Sequence, residues 1–258
     1  MNVHARSTRV ALVALAATVL VPAAALAGKK VVAGQQSLQV SVSLKPAKAH
    51  AMGVVERFHA EYRNPQDPAA QSPYNTASIA FVEPRGFVFH GKTVSQCKES
   101  VVIAAPKGAA ACPSKTKVGK GSIVVNARPT IPALVNGKVT AYNGVDDSGA
   151  EGFAKGSPVL FLDVVTSIGI DTTFPFHVVK GPGGATELIG VDTKPAKPGV
   201  QPGSFTIRTI DLTVSGSGHA NYLSDPGSCA GSWPFALTVK NFFGQPSVTA
   251  KDTVKCTK

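Results

Sequence analysis

Gln36–Leu44 reads QSLQVSVSL. Leu38, Val40, Val42 and Leu44 alternate with Ser37, Gln39, Ser41 and Ser43. A period of two puts the aliphatic side chains on one face and the polar ones on the other, which is a half-buried strand and not a helix. The same reading extends to Met52–Tyr62, Ser78–Val82, Gly86–His90, Ser122–Ala127, Lys138–Tyr142 and Val159–Thr166. It continues through Thr172–Val179, Thr186–Val191, Phe205–Val214, Trp233–Val239 and Ser247–Cys256. In the last run Val248, Ala250, Val254 and Cys256 share a face, with Asp252 as the exception. Turn signals lie between runs: Asn136-Gly137, expected to form a hairpin, Asn143-Gly144, Gly181-Pro182-Gly183-Gly184 and Asp225-Pro226-Gly227. After residue 27 no stretch has helical periodicity, and Pro106 and Gly108 interrupt the Ala-rich segment Ala104–Ala111. The expectation is an all-β chain, a β-sandwich of jelly-roll or immunoglobulin-like type with little or no helix.

The chain has 258 residues, a formal charge of +11, 16% charged and 43% hydrophobic residues. That composition excludes a disordered tail protein, a coiled coil and a collagen-like chain. Residues 28–258 are expected to form one large β domain. Proline-rich stretches at Arg63–Thr76 and 194–203 are either long surface loops or a domain boundary.

Residues 1–27 read as a secretory signal peptide. Arg6 and Arg9 form a basic start, Val10–Leu20 is apolar, and Ala25-Leu26-Ala27 is a small-residue cleavage site. No later segment is long and apolar enough to span a bilayer, so the mature chain is expected outside the cytoplasm, free or held non-covalently to the envelope. There are four cysteines, Cys97, Cys112, Cys229 and Cys256. Export to an oxidising compartment makes two disulfides the expectation. Four cysteines allow three pairings; the local one, Cys97–Cys112 and Cys229–Cys256, closes the shortest loops and is the expected one. No closely spaced ligand pair of the C-x-x-C kind is present, so no metal is expected.

Other segments carry a resemblance. PRGFVFHG at Pro84–Gly91, Gln96-Cys97, CPSKTKVGKGSIVV at Cys112–Val125 and VTAYNG at Val139–Gly144 form one frame. NYLSDPGSCAGSWPFALTV at Asn221–Val239, with a last cysteine near the terminus, completes it. This resembles uncharacterised exported β-rich proteins of high-GC Gram-positive bacteria. The resemblance implies architecture and carries no activity. Gly119 and Gly121 suit a tight strand entry or bulge; the P-loop spacing is absent.

Catalytic motifs are scarce. The six histidines, His4, His50, His59, His90, His177 and His219, form no H-E-x-x-H, and no G-x-S-x-G is present. Two S-x-x-K strings, Ser95–Lys98 and Ser114–Lys117, lack a K-T-G partner. Asp163 and Asp211 lie in expected strands and Asp171 directly before one; the three could supply a carboxylate pair for glycoside hydrolysis, with solvent-facing residues or local ion pairs the expectation. Asp146, Asp147 and Glu151 share a glycine-rich loop, expected to be a solvated turn. No catalytic residue and no cofactor is assigned. The uneven feature is charge. Lys107, Lys115, Lys117, Lys120, Arg128 and Lys138 occur between Ser100 and Val145 without an acid. A basic surface outside the cell meets anionic wall polymer or polysaccharide; low aromatic content and export speak against nucleic acid. Lys107, Lys115, Lys117 and Lys120 are the candidate anion-binding residues. The sequence therefore points to a secreted, non-catalytic binding or structural module, with a secreted polysaccharide hydrolase as the alternative.

Overall fold

The computed structural model describes residues 28–46, 54–67, 69, 74, 76–126, 134–149, 152–169, 171–191, 206–215, 222–229 and 231–256. The signal sequence 1–27 and the candidate boundary 194–203 lie outside them.

The chain is all-β. Its strands are β1 (Val31–Ala33), β2 (Gln36–Pro46), β3 (Val54–Arg63), β4 (Thr76–Glu83), β5 (Val88–Phe89) and β6 (Cys97–Lys98). After helix α1 (Glu99–Ala104) come β7 (Lys117–Asn126), β8 (Leu134–Val145), β9 (Pro158–Thr166), β10 (Asp171–Lys180) and β11 (Thr186–Val191). The last are β12 (Thr206–Val214), β13 (Leu223–Ser224), β14 (Ser232–Asn241) and β15 (Val248–Lys255). Thirteen of them form one sheet in the order β1-β2-β3-β12-β7-β8-β9-β10-β11-β4-β14-β15, with β6 beside β8, while β5 and β13 form a separate pair. Strands from both sides of 194–203 pair directly, β12 with β3 and β7, and β14 with β4.

Alternation rolls this sheet up. Leu38, Val40 and Val42 of β2 join Ile123 and Val125 of β7, Leu160, Leu162 and Val164 of β9, and Phe235, Leu237 and Val239 of β14 in one core. The two layers of the sandwich are halves of that one sheet. Phe58 of β3 meets Phe81 of β4 edge-on, ring centroids 4.8 Å apart, although the two strands are remote in the sheet order. The ends of the sheet also approach each other. The Val42 N–H donates to Asp252 Oδ2 at 2.7 Å, and a Cβ on Gly28, just before β1, would collide with the Lys251 carbonyl of β15. Asp252, the polar exception on the inward face of β15, thus satisfies a backbone donor of β2 where the ladder stops.

Two turn expectations fail for one reason. Asn136-Gly137 and Asn143-Gly144 lie inside β8, not at its ends. A Cβ on Gly144 would collide with the Phe161 ring, and one on Gly137 would sit 2.9 Å from the Ile123 side chain. These glycines provide space for neighbours, a role that a dipeptide rule cannot distinguish from turn-making. Gly121 and Gly119 act alike: a Cβ on Gly121 would collide with the Asp211 carbonyl, and one on Gly119 would lie 2.6 Å from that of Thr213. Gly183 and Gly227, by contrast, sit in their expected turns with φ of 66°.

Both expected cysteine pairs are joined, with Cα separations of 5.6 Å for Cys97–Cys112 and 6.2 Å for Cys229–Cys256. The two segments richest in resemblance motifs pair with each other: Phe89 opposes Leu223 and Val88 opposes Ser224.

Candidate functional site

Register decides which lysines act together. Residues opposite one another in neighbouring strands share a face. Ser43, Arg57, Thr213, Lys120 and Thr140 form one such row across β2, β3, β12, β7 and β8. The next row is Ser41, His59, Asp211, Ser122 and Lys138. Both lie on the outer face, because Val42, Phe58, Leu212 and Val139 in the row between them point into the core. Lys120 and Lys138 are diagonal neighbours, roughly 7–8 Å apart at the backbone, and Arg57 lies two strands, about 10 Å, from Lys120. Lys117 begins β7 on the same face, its Nζ 5.7 Å from the centre of the Tyr142 ring. Of the four candidate anion-binding residues, Lys117 and Lys120 belong to this face. Lys107 and Lys115 are exposed on the segment between α1 and β7. Arg128 lies outside the described residues. Sequence reading missed Arg57, which the alternation around Phe58 marks as outward.

The face is hydroxyl-rich, and two of its carboxylates are engaged. Asp211 Oδ1 accepts from the His59 Nδ1–H at 2.7 Å, and Glu61 lies 2.9 Å from the Arg63 guanidinium. Of the three candidate aspartates, Asp211 is thereby separated from Asp163 and Asp171.

A second feature lies on the outer side of β8, β9 and β10. The segment bridged by Cys97 and Cys112 packs there, with Val102 and Ala109 against Tyr142, Val159 and Phe161. The Asn143 amide fastens its entry, donating to the carbonyls of Gly91 at 2.8 Å and of Val94 and Ser95 at 3.1 Å. Beneath it Glu99, Asp146 and His177 are buried together. Glu99 Oε1 is 3.8 Å from His177 Nε2, and the Phe153 ring stacks on the imidazole at 3.8 Å. Burial lowers the His177 pKa against the field of Asp146. Burial works to raise the Asp146 carboxyl, but the Gly149 and Ser148 N–H groups, the Ser148 hydroxyl and Glu99 outweigh it and hold the group low. Asp146 and Asp147 do not form the expected solvated turn. Asp146 is buried, and Asp147 accepts the Ser100 N–H at 2.9 Å at the start of α1. Glu151 lies outside the described residues.

A cleft of about 290 Å³ opens between this segment and the sheet, lined by Glu99, Val102, Ile103, Phe161, Asp171 and Thr173 among others. Asp163 lies behind it, its pKa raised by burial and by the charge of Asp171. The same two aspartates reinforce the burial that raises the Tyr142 pKa.

The third feature is inside the roll. Glu56 of β3 and Glu83 of β4 are 4% and 1% exposed and share a side-chain hydrogen bond. Burial pushes Glu56 up to about 7, against the hydrogen bond to Glu83. Burial, the charge of Glu56 and the shared hydrogen bond drive Glu83 well above the carboxylate range. Tyr222, fully buried, is pushed up by burial and by the Glu83 charge. No catalytic motif marked these glutamates. The available signal was an acid on the inward face of each strand, beside Phe58 and Phe81.

Of the remaining histidines, His90 Nε2 is 2.8 Å from the Ser224 hydroxyl across the β5–β13 pair. His4, His50 and His219 lie outside the described residues. Among the described residues no group of three or more His, Cys, Asp or Glu could hold a metal, and no helix is long and apolar enough to cross a membrane. No protein-family model, curated protein or solved structure matches the chain.

Proposed function

We propose that this is an exported, non-catalytic module that holds an anionic polymer of the cell envelope, a wall polymer or an acidic polysaccharide, on the outer face of β3, β12, β7 and β8. The supporting observation is the strand register that gathers Arg57, Lys117, Lys120 and Lys138 on one face. Cations within about 10 Å of one another act jointly at physiological salt, where the screening length is about 8 Å. The intervening Ser and Thr hydroxyls supply neutral donors for phosphate, carboxylate or sugar oxygens. A rigid sheet has little entropy to lose on binding. Export through the 1–27 leader and kinship with the exported proteins of high-GC Gram-positive bacteria belong to this same reading.

The test is equilibrium binding of the mature chain to isolated anionic wall polymer across a salt series. Affinity should fall steeply with salt. In the Lys117→Gln/Lys120→Gln/Lys138→Gln variant it should fall about tenfold or more, from three exposed ion pairs of up to about 1 kcal/mol each. Equal binding by parent and triple variant would reduce the basic face to a solubility feature. The cleft favours a second reading, hydrolysis of the polymer, because Glu99 and Asp171 both line it. New reducing ends released in the same incubation would support that reading, and their absence would dismiss it.

A further inference from the structure

Inside the roll, two carboxyl groups from opposite layers are bonded to each other in an otherwise apolar core. The partners opposite Glu56 are Leu44 on β2 and Val214 on β12, and the partner opposite Glu83 is Thr186 on β11. The cap over this end contributes Leu223 and Tyr222, both buried. Tyr222 is the remaining titratable group whose field couples to the pair, and no basic side chain is among the influences on either carboxyl. Glu56 Oε2 and Glu83 Oε2 have no hydrogen-bond partner. Two ionised carboxylates cannot coexist there at tolerable cost, since each buried charge needs a counter-charge or donors. One proton held between them converts repulsion into a charge-assisted bond.

That bond joins the two layers. Two residues further along the same strands, Phe58 meets Phe81, so the pair and the ring contact form one seam between β3 and β4. The seam ends at the β5–β13 cap, where His90 N–H donates to the Tyr222 carbonyl at 2.7 Å and Leu223 N–H to the Ser215 hydroxyl at 3.3 Å. Ser215 itself has a φ of 63°, a left-handed conformation unusual outside glycine and asparagine. The cap therefore depends on a strained residue directly after the strand that borders Glu56.

We propose that Glu56 and Glu83 form a proton-controlled latch: a proton shared between them closes the β3–β4 seam, and its release to solvent in alkali loosens the seam and the β5–β13 cap. The sign follows from linkage. Both carboxyls hold protons more tightly in the folded chain than in the unfolded one, so the folded state gains stability in acid and loses it as pH rises. Glu56 alone, moved from 4.5 to about 7, makes the folded-to-unfolded ratio about 300-fold lower above the window than below it.

Denaturant unfolding and amide exchange of the mature chain at about pH 6 and about pH 9, corrected for intrinsic exchange rates, test the latch. Protection in β3, β4 and β13 should drop at the higher pH. In Glu83→Gln, whose amide donates permanently and cannot ionise, the alkaline loss of stability should be at least about tenfold smaller in the folded-to-unfolded ratio. Tyr222→Phe should keep the parent's loss. Equal protection of β3 and β4 in the parent at both pH values overturns the latch. So does an unchanged loss in Glu83→Gln, or its disappearance in Tyr222→Phe, which would make the phenol the titrating group. If Glu83→Gln does not fold, Glu56→Gln and the parent's own exchange profile decide.

Discussion

Glu56 and Glu83 lie inside the rolled sheet, sealed by aliphatic and aromatic side chains. Glu99, Asp146 and His177 lie outside it, between the sheet and a disulfide-bridged segment. Both groups are buried, yet their surroundings differ. The inner pair has one partner each and no backbone donors to spare. Asp146 has the Ser148 and Gly149 N–H groups at 2.9 and 2.6 Å. Burial alone therefore does not set the charge of a carboxyl; the supply of donors does. Where a turn supplies N–H groups, the carboxyl is held below its usual range despite burial, while burial lowers its neighbour His177 against the Asp146 charge. Where a strand ladder has already used them, the carboxyl keeps its proton.

The largest expected effect comes from breaking the outer region. Cys97→Ser with Cys112→Ser removes a bridge spanning 15 residues. The expected loss is about 3 kcal/mol, mainly from a less constrained unfolded chain. Amide exchange should accelerate in α1 and β6 beyond the global change, because these elements lie on the sheet and outside its core. Uniform acceleration in β3 and β4 as well would show that the two regions unfold as one unit.

A smaller effect tests the opposite proton responses. Burial lowers the His177 pKa, so the unfolded chain binds this proton more readily than the folded one. Its contribution is fully present above the unfolded value of 6.5 and is lost as pH falls below it. The inner pair behaves in reverse. Stability against pH should therefore form a dome, with its acid limb set partly by His177 and its alkaline limb by Glu83, while the Glu56 loss, between 4.5 and about 7, overlaps the His177 range and opposes it. His177→Gln should flatten the acid limb and leave the alkaline one unchanged in urea midpoints taken across the range. A change in both limbs would mean that the two clusters share a titration.

Much of the fold was legible in the period of two, because each strand has one wet and one dry face. Leu38, Val40 and Val42 declare theirs without ambiguity. The rolling of one sheet into both layers was not legible, since it depends on long-range register between strands such as β3 and β12. The glycines misled for a related reason. Gly137 and Gly144 are needed by Ile123 and Phe161, residues on other strands, and local sequence carries no trace of that demand. The candidate site was legible in composition and not in membership. Lys117, Lys120 and Lys138 stood out as an acid-free series, but Arg57 enters their row only through the pairing of β3 with β12 and of β12 with β7. The sequence reading named neither Glu56 nor Glu83, and its strand stopped at Val82; only the fold brings the two inward acids together.

The smallest expected effect concerns Asp147, which accepts the Ser100 N–H at 2.9 Å and the Ser100 hydroxyl at 2.6 Å. The Ser100 hydroxyl and N–H hold its pKa below the usual aspartate value. A carboxylate at the first turn of α1 also meets the positive end of a short helix. Because Asp147 is exposed, water screens most of this, and Asp147→Asn should lower the denaturation midpoint only slightly. The sign of the pH dependence is the sharper readout. A lowered acid contributes stability above its unfolded value of 3.8 and loses it as pH falls through the folded value. The gap between parent and Asp147→Asn should therefore close in strong acid, while faster exchange of the Ser100 amide marks the outer region alone. Asp147 and Glu83 share no partner among the described residues, so combining Asp147→Asn with Glu83→Gln should give additive changes within about 0.5 kcal/mol. A larger coupling would mean that a proton lost inside the roll is felt at the stapled segment, and the two regions would then be one titrating system with two ends.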